Sequence, residues 1–179
     1  MRTARIKSFY FLLVLAAAAA PFPAPADDGC VDFKWDVSKE RALFAGAPAA
    51  MTAGHDLKSA PLVFPDRLYK LRLTSQDGVT FAVNPAKKMA GPVFAGLATL
   101  KIPGPGGYRI ALDLPSWIDV VSNGALVAAK DFQGQHACSA PHKIVEFDLD
   151  AAQSLLLQLS NASSESVLVT ITPSPSRKL

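Results

Sequence analysis

"YRIALDLPSWIDVVSNG", residues 108–124, is the stretch on which the fold turns. Tyr108, Ile110, Leu112 and Leu114 alternate with Arg109, Ala111 and Asp113, the period-two pattern of a half-buried strand. Pro115-Ser116 interrupts that pattern, and "WIDVV" begins a second strand at Trp117. Ser122-Asn123-Gly124 then reads as a turn, because Asn and Gly tolerate the positive φ of a tight hairpin. Strand, turn, strand and turn follow too closely for a helix to intervene.

The same rhythm runs outward in both directions. Toward the C-terminus come "ALVAA", then "HKIVEFDL" with Val145, Phe147 and Leu149 on one face, then "SLLLQLS" and "VLVTITP". Toward the N-terminus lie "FAGLATLKI", closed by the turn "PGPGG", and a hairpin of "LYKLRLTS" and "VTFAV" around "SQDG". "CVDFKWDV" adds a further strand, with Val31, Phe33, Trp35 and Val37 on one face. Ser38 is expected to cap a short helix or turn, "KERALFA". Residues 45–61, rich in Ala, Gly and Pro without a period, read as a long loop that holds His55. About nine short strands with turn signals every ~8–12 residues imply an all-β fold, an antiparallel β-sandwich of jelly-roll type.

The N-terminus reads as a secretory signal peptide. Arg2, Arg5 and Lys7 precede the apolar run "FYFLLVLAAAAA", which is shorter than the ~20 residues of a membrane span. Ala24-Pro25-Ala26 supplies a small-x-small cleavage site, so residues 1–26 are expected to be removed. A single domain over residues 27–173 and a flexible tail over 174–179 remain. The chain holds 18 Lys and Arg against 15 Asp and Glu, and three of the basic residues lie before Asp27. The mature charge is therefore balanced, which argues against a nucleic-acid partner, and no stable membrane anchor remains after cleavage. Export to the periplasm or beyond makes a disulfide between the only two cysteines, Cys30 and Cys138, the simplest expectation. Closing so long a loop would stabilise the fold by about 4–5 kcal/mol in the chain-entropy treatment.

The order "GLATLKIPGPGGYRIALDL", "WIDVVSNG", "IVEFDLDAAQSLLLQLS" and "SVLVTITP" resembles the bacterial pre-peptidase C-terminal type of secreted β-sandwich, over residues 94–173. That resemblance implies an accessory or binding module, with an envelope glycan or protein as partner, rather than an enzyme. The whole chain also resembles short exported bacterial proteins, some of which carry the name homogentisate 1,2-dioxygenase. Such a name implies a cupin-type iron site of two His and one carboxylate. The usual cupin signature resembles Gly-x5-His-x-His-x3/4-Glu, whereas here only His142 and Glu146 keep a His-x3-Glu spacing. His136 lies further upstream, and His55 is the distant third histidine. On a regular strand His142 and Glu146 would stand roughly 13 Å apart, at ~3.3 Å per residue. His136, His142 and Glu146 are the metal candidates. The competing expectation puts both histidines in an exposed loop and Glu146 on a solvated sheet face, with no cofactor.

No catalytic residue is assigned. Gly-x-Ser-x-Gly, Ser-x-x-Lys and Cys-x-x-Cys are absent, and "GPGG" lacks the Lys-Ser/Thr of a phosphate loop. Trp117 and Asp119 share one strand face and could stack and hydrogen-bond a sugar; the plainer alternative is a core tryptophan. Lys87 and Lys88, in the loop 84–92, offer an anion two ammonium groups, or simply face water. Asn161-Ala162-Ser163 is a glycosylation sequon. These readings together favour an exported, non-catalytic binding or envelope protein over a metal-dependent oxygenase or a carbohydrate-binding module.

Overall fold

Successive period-two runs bury their apolar faces most readily by pairing into sheets that pack on another layer. In a computed structural model of the chain, residues 33–85, 87, 89, 91–135, 137, 138 and 140–175 are described. Residues 1–26, expected to be a signal peptide, lie outside them, as do Cys30 and His136. The described chain is β-rich. One sheet is built from β1 (Ala49–Thr52), β3 (Leu68–Arg72), β12 (Ser166–Pro173), β6 (Gly106–Leu112), β10 (Lys143–Leu149) and β9 (Ala129–Gly134), in that spatial order. The second runs β2 (Leu62–Val63), β5 (Phe94–Leu100), β11 (Leu155–Ala162), β7 (Trp117–Ser122) and β8 (Ala125–Leu126), with β4 (Thr74–Ser75) also pairing β5.

One apolar core joins the two layers. The first sheet contributes Leu71, Ile110, Phe147 and Ile171; the second contributes Leu100, Val120, Leu157 and Leu159. Full burial of each such side chain stabilises by about 1.5–3 kcal/mol. The alternation read from residues 108–114 and 143–149 sets this face correctly. Asn123 and Gly124 both take positive φ, 50° and 76°, and link β7 to β8 as a two-residue hairpin turn.

Several expectations need correction. The described residues form twelve strands rather than about nine, and the sheets are mixed: β1 runs parallel to β3, and β2 to β5. The first of these pairs arises within residues 45–61, expected to be a loop, and the second directly after it, where the chain runs along the sheet edges. Residues 33–36 form no strand. Their alternation survives as burial alone: Phe33 and Trp35 pack with Val37 against Ala111 and Ile144, on the outer face of the first sheet. The helix α1 (Ser38–Phe44) does form, but Val37 is its N-cap and Ser38 is already helical. Ser38 instead donates its N–H to Asp36 Oδ1 at 2.9 Å.

"VTFAV" makes no hairpin either. After the 3₁₀ turn at Gln76–Gly78, Val79, Phe81 and Val83 cover Leu97, Val121 and Leu156 on the outer face of the second sheet. That cover explains why all eight residues of β11 are buried. Within β11, Gln158 is fully buried and satisfies the passing backbone. Its Oε1 accepts from Ala82 N at 2.9 Å, and its Nε2 donates to Val83 O at 3.0 Å. At the tail, Ser174 N donates to Gly107 O at 2.8 Å, which holds the first tail residue against β6.

Candidate functional site

The starts of β7 and β10 and the ends of β9 and β11 meet at one end of the two layers. A cleft of about 620 Å³ opens there, lined among others by Lys87, Met89, Trp117, Phe132, His142 and Lys143. Trp117 is part of its lining. Ile118 and Val120 take the inward positions of β7, so period two turns Trp117 and Asp119 outward. The tryptophan is therefore half-buried at the surface rather than a core residue. Its Nε1–H donates to Asp119 Oδ1 at 3.0 Å, so the pair read from the sequence is a real contact.

Two ammonium groups flank the indole. Lys143 Nζ lies 4.8 Å from the ring centroid and Lys87 Nζ 5.7 Å, both within cation–π range. Lys143 also donates to Ser116 O at 2.9 Å, using one of its three donors. Burial pushes the Lys143 ammonium below the ordinary lysine value; Asp119 opposes that effect and Lys87 adds to it. Lys87 is held by Asn161, which is buried at the end of β11. Asn161 Nδ2 donates to Lys87 O at 2.8 Å, and its Oδ1 accepts from Met89 N at 3.1 Å. The sequon asparagine is thus an internal clamp on the lysine loop, and its amide is already engaged. His142, next to Lys143, is part-buried, with Nδ1 3.1 Å from Cys138 O.

The metal candidates do not gather. His142 lines the Trp117 cleft, whereas Glu146 lines a separate cleft of about 450 Å³ with Trp35, Arg109 and Lys130. His136 lies outside the described residues, and His55 sits in a local turn with Asp56 and Ser59. Among the described residues no group of three or more His, Cys, Asp or Glu is placed to share a metal ion.

Glu146 is not solvated, contrary to expectation; it is 7 % exposed. Its Oε2 accepts from Arg109 Nε at 3.3 Å, and Lys130 Nζ stands 3.5 Å from its Oε1. Arg109 also donates to Asp36 O at 3.0 Å and stacks 4.6 Å from the Trp35 ring centroid. Glu40 of α1, 2 % exposed, lies 3.9 Å from Arg109 and accepts from Thr172 Oγ1 at 2.5 Å. This network fastens residues 33–44 over the first sheet, and so reads as structural. Sequence reasoning missed it because Arg109 and Glu146 fall on the polar phase of their strands.

The Ser59–His55–Asp56 cluster also escaped the sequence reading. Ser59 Oγ donates to Asp56 Oδ1 at 2.7 Å and is 3.4 Å from His55 Nδ1. The hydroxyl is thus directed to the carboxylate, and the exposed triplet closes a turn. No family model, curated protein or solved structure matches this chain.

Proposed function

We propose that this is an exported, non-catalytic binding protein whose ligand carries negative charge and occupies the Trp117 cleft. The observation that carries the reading is the placement of Lys87 and Lys143 over one half-buried indole, beside His142, in a single cleft. Burial of the Lys143 ammonium costs free energy that Asp119 offsets only in part, and an anion in the cleft would offset more. The balanced charge of the mature chain is compatible with this, because two lysines and a histidine are concentrated locally. The fold finer than its β-rich class is a sandwich with jelly-roll-like edges, in keeping with the resemblance to secreted accessory modules. Cleavage after Ala26 and a Cys30–Cys138 disulfide complete the reading. Cys138 is buried, and a bridge there would fix the segment that leads into His142.

The test is titration of the purified protein with citrate, inorganic phosphate and an oligogalacturonate, at low and high salt. Saturable binding that weakens with salt, and is lost when Lys87 and Lys143 are both changed to Met, is the expected result. Absence of any saturable binding would remove the proposal.

A further inference from the structure

The cleft beside Trp117 carries a second ring that the fold does not use. Phe132, on β9, is 68 % exposed, the highest value for a large apolar side chain among the described residues. A phenyl ring left in water forgoes the stabilisation that burial would give it. β9 ends its sheet, so no further strand of that sheet lies beyond it. Cations flank the Trp117 ring, whereas among the described residues none stands over Phe132. The ring that is free to stack is therefore Phe132, and Trp117 is already engaged in holding the lysines.

We infer that the cleft takes an acidic sugar, with a pyranose C–H face on Phe132 and the anionic substituent at Lys87 and Lys143. This rests on the reading that the cleft binds an anion and names its class. A pyranose has one apolar face and a rim of hydroxyls. The lining of the cleft holds both kinds of group, Phe132 and Met89 as apolar surface and Lys143, His142 and Ser163 as polar partners. Its volume of about 620 Å³ lies within the ~300–1,000 Å³ of small-molecule sites. An aliphatic chain would press hydrocarbon against the Lys87 and Lys143 ammonium groups and further desolvate them without supplying a countercharge. The anionic group is a carboxylate or a sulfate, since both meet two ammonium groups in the same way.

The experiment is calorimetric titration with trigalacturonate, its fully methyl-esterified form, a sulfated disaccharide, citrate and inorganic phosphate. The wild-type protein, Phe132→Ala and Phe132→Trp are compared. At least one acidic sugar is expected to bind saturably. For trigalacturonate, esterification should weaken binding about tenfold or more. Phe132→Ala should weaken it about tenfold and Phe132→Trp should retain it. The melting temperature of Phe132→Ala should stay at the wild-type value, because the ring is outside the core. A tighter response to the sulfated disaccharide than to trigalacturonate would identify sulfate as the group recognised. Binding of citrate or phosphate that is as tight as that of the sugars and indifferent to Phe132→Ala would overturn the sugar inference and leave the anion reading standing. A shift in the monomer–dimer equilibrium with Phe132→Ala would make the ring a subunit contact and overturn it equally. Failure of every anion to bind would overturn both.

Discussion

Replacing Arg109 with Met should destabilise the protein more than any other single polar-to-apolar change on the first sheet. Arg109 is 7 % exposed, and its guanidinium meets Glu146 at 3.3 Å, Asp36 O at 3.0 Å and the Trp35 ring at 4.6 Å. Methionine keeps most of the aliphatic volume but removes the charge and the donors. Glu146 and Glu40, 7 % and 2 % exposed, then lose their shared cation. Breaking a buried pair from one side costs about 3–5 kcal/mol. Glu146 keeps Lys130 at 3.5 Å and Glu40 keeps the Thr172 hydroxyl at 2.5 Å, so the lower part of that range applies. A loss of about 3 kcal/mol is a large share of the ~5–15 kcal/mol typical of a domain. Urea unfolding of wild type, Arg109→Met, Glu146→Gln and the double variant forms a thermodynamic cycle. The double variant should lose at least about 1 kcal/mol less than the two single losses combined. Arg109→Lys should recover only part, since an ammonium cannot donate to Glu146 and stack on Trp35 in the same way. A loss below about 0.5 kcal/mol for Arg109→Met, or strict additivity in the cycle, would refute the account of this network.

Other expectations follow from single contacts. Asn161→Ala should cost about 1–3 kcal/mol and also weaken anion binding, because Lys87 loses its clamp; denaturation and titration of the one variant test both. Gly96→Ala would bring a Cβ within 2.4 Å of the Ala53 Cβ, and should lower stability by about 1–3 kcal/mol as β5 and residue 53 are forced apart. Burial raises the Asp113 carboxyl above its ordinary 3.8, against the hydrogen bond from Leu168 N. The folded chain therefore holds that proton at a pH where the unfolded chain has lost it. Its contribution is present below the ordinary value and is lost as pH rises through the raised one. Asp113→Asn should remove this slope from the stability–pH curve; an unchanged curve would contradict it.

Strand phase was legible wherever one face met the core, as in β6, β7, β10 and β12. It failed where burial came from something other than a sheet. Residues 33–37 alternate because one side packs on Ala111 and Ile144, and a period-two pattern does not distinguish that cover from strand pairing. β1 and β2 are short edge strands whose parallel partners are supplied from elsewhere, so neither carried a local signal. β9 was hidden because "AKDFQG" has little apolar content and pairs only at an edge. The Trp117–Asp119 contact was readable, since two residues on one strand share a face. Lys143 and Lys87 over the same ring were not, because their approach depends on Asn161 and on how the two layers meet. Glu146 shows the opposite failure: a polar phase was read as solvated, while residues 33–44 lie over it.

The Trp117 cleft is the centre of the account, and its indole gives a direct reporter. The chain has two tryptophans, and Trp35 lies in the other cleft, beside Arg109. In a ¹H–¹⁵N spectrum of the folded protein, trigalacturonate should move the Trp117 indole N–H, which is donated to Asp119, and leave the Trp35 indole in place. Lys143→Met should abolish the Trp117 shift. Movement of Trp35 alone, or no movement of either at saturating ligand, would contradict the assignment of this cleft as the binding site.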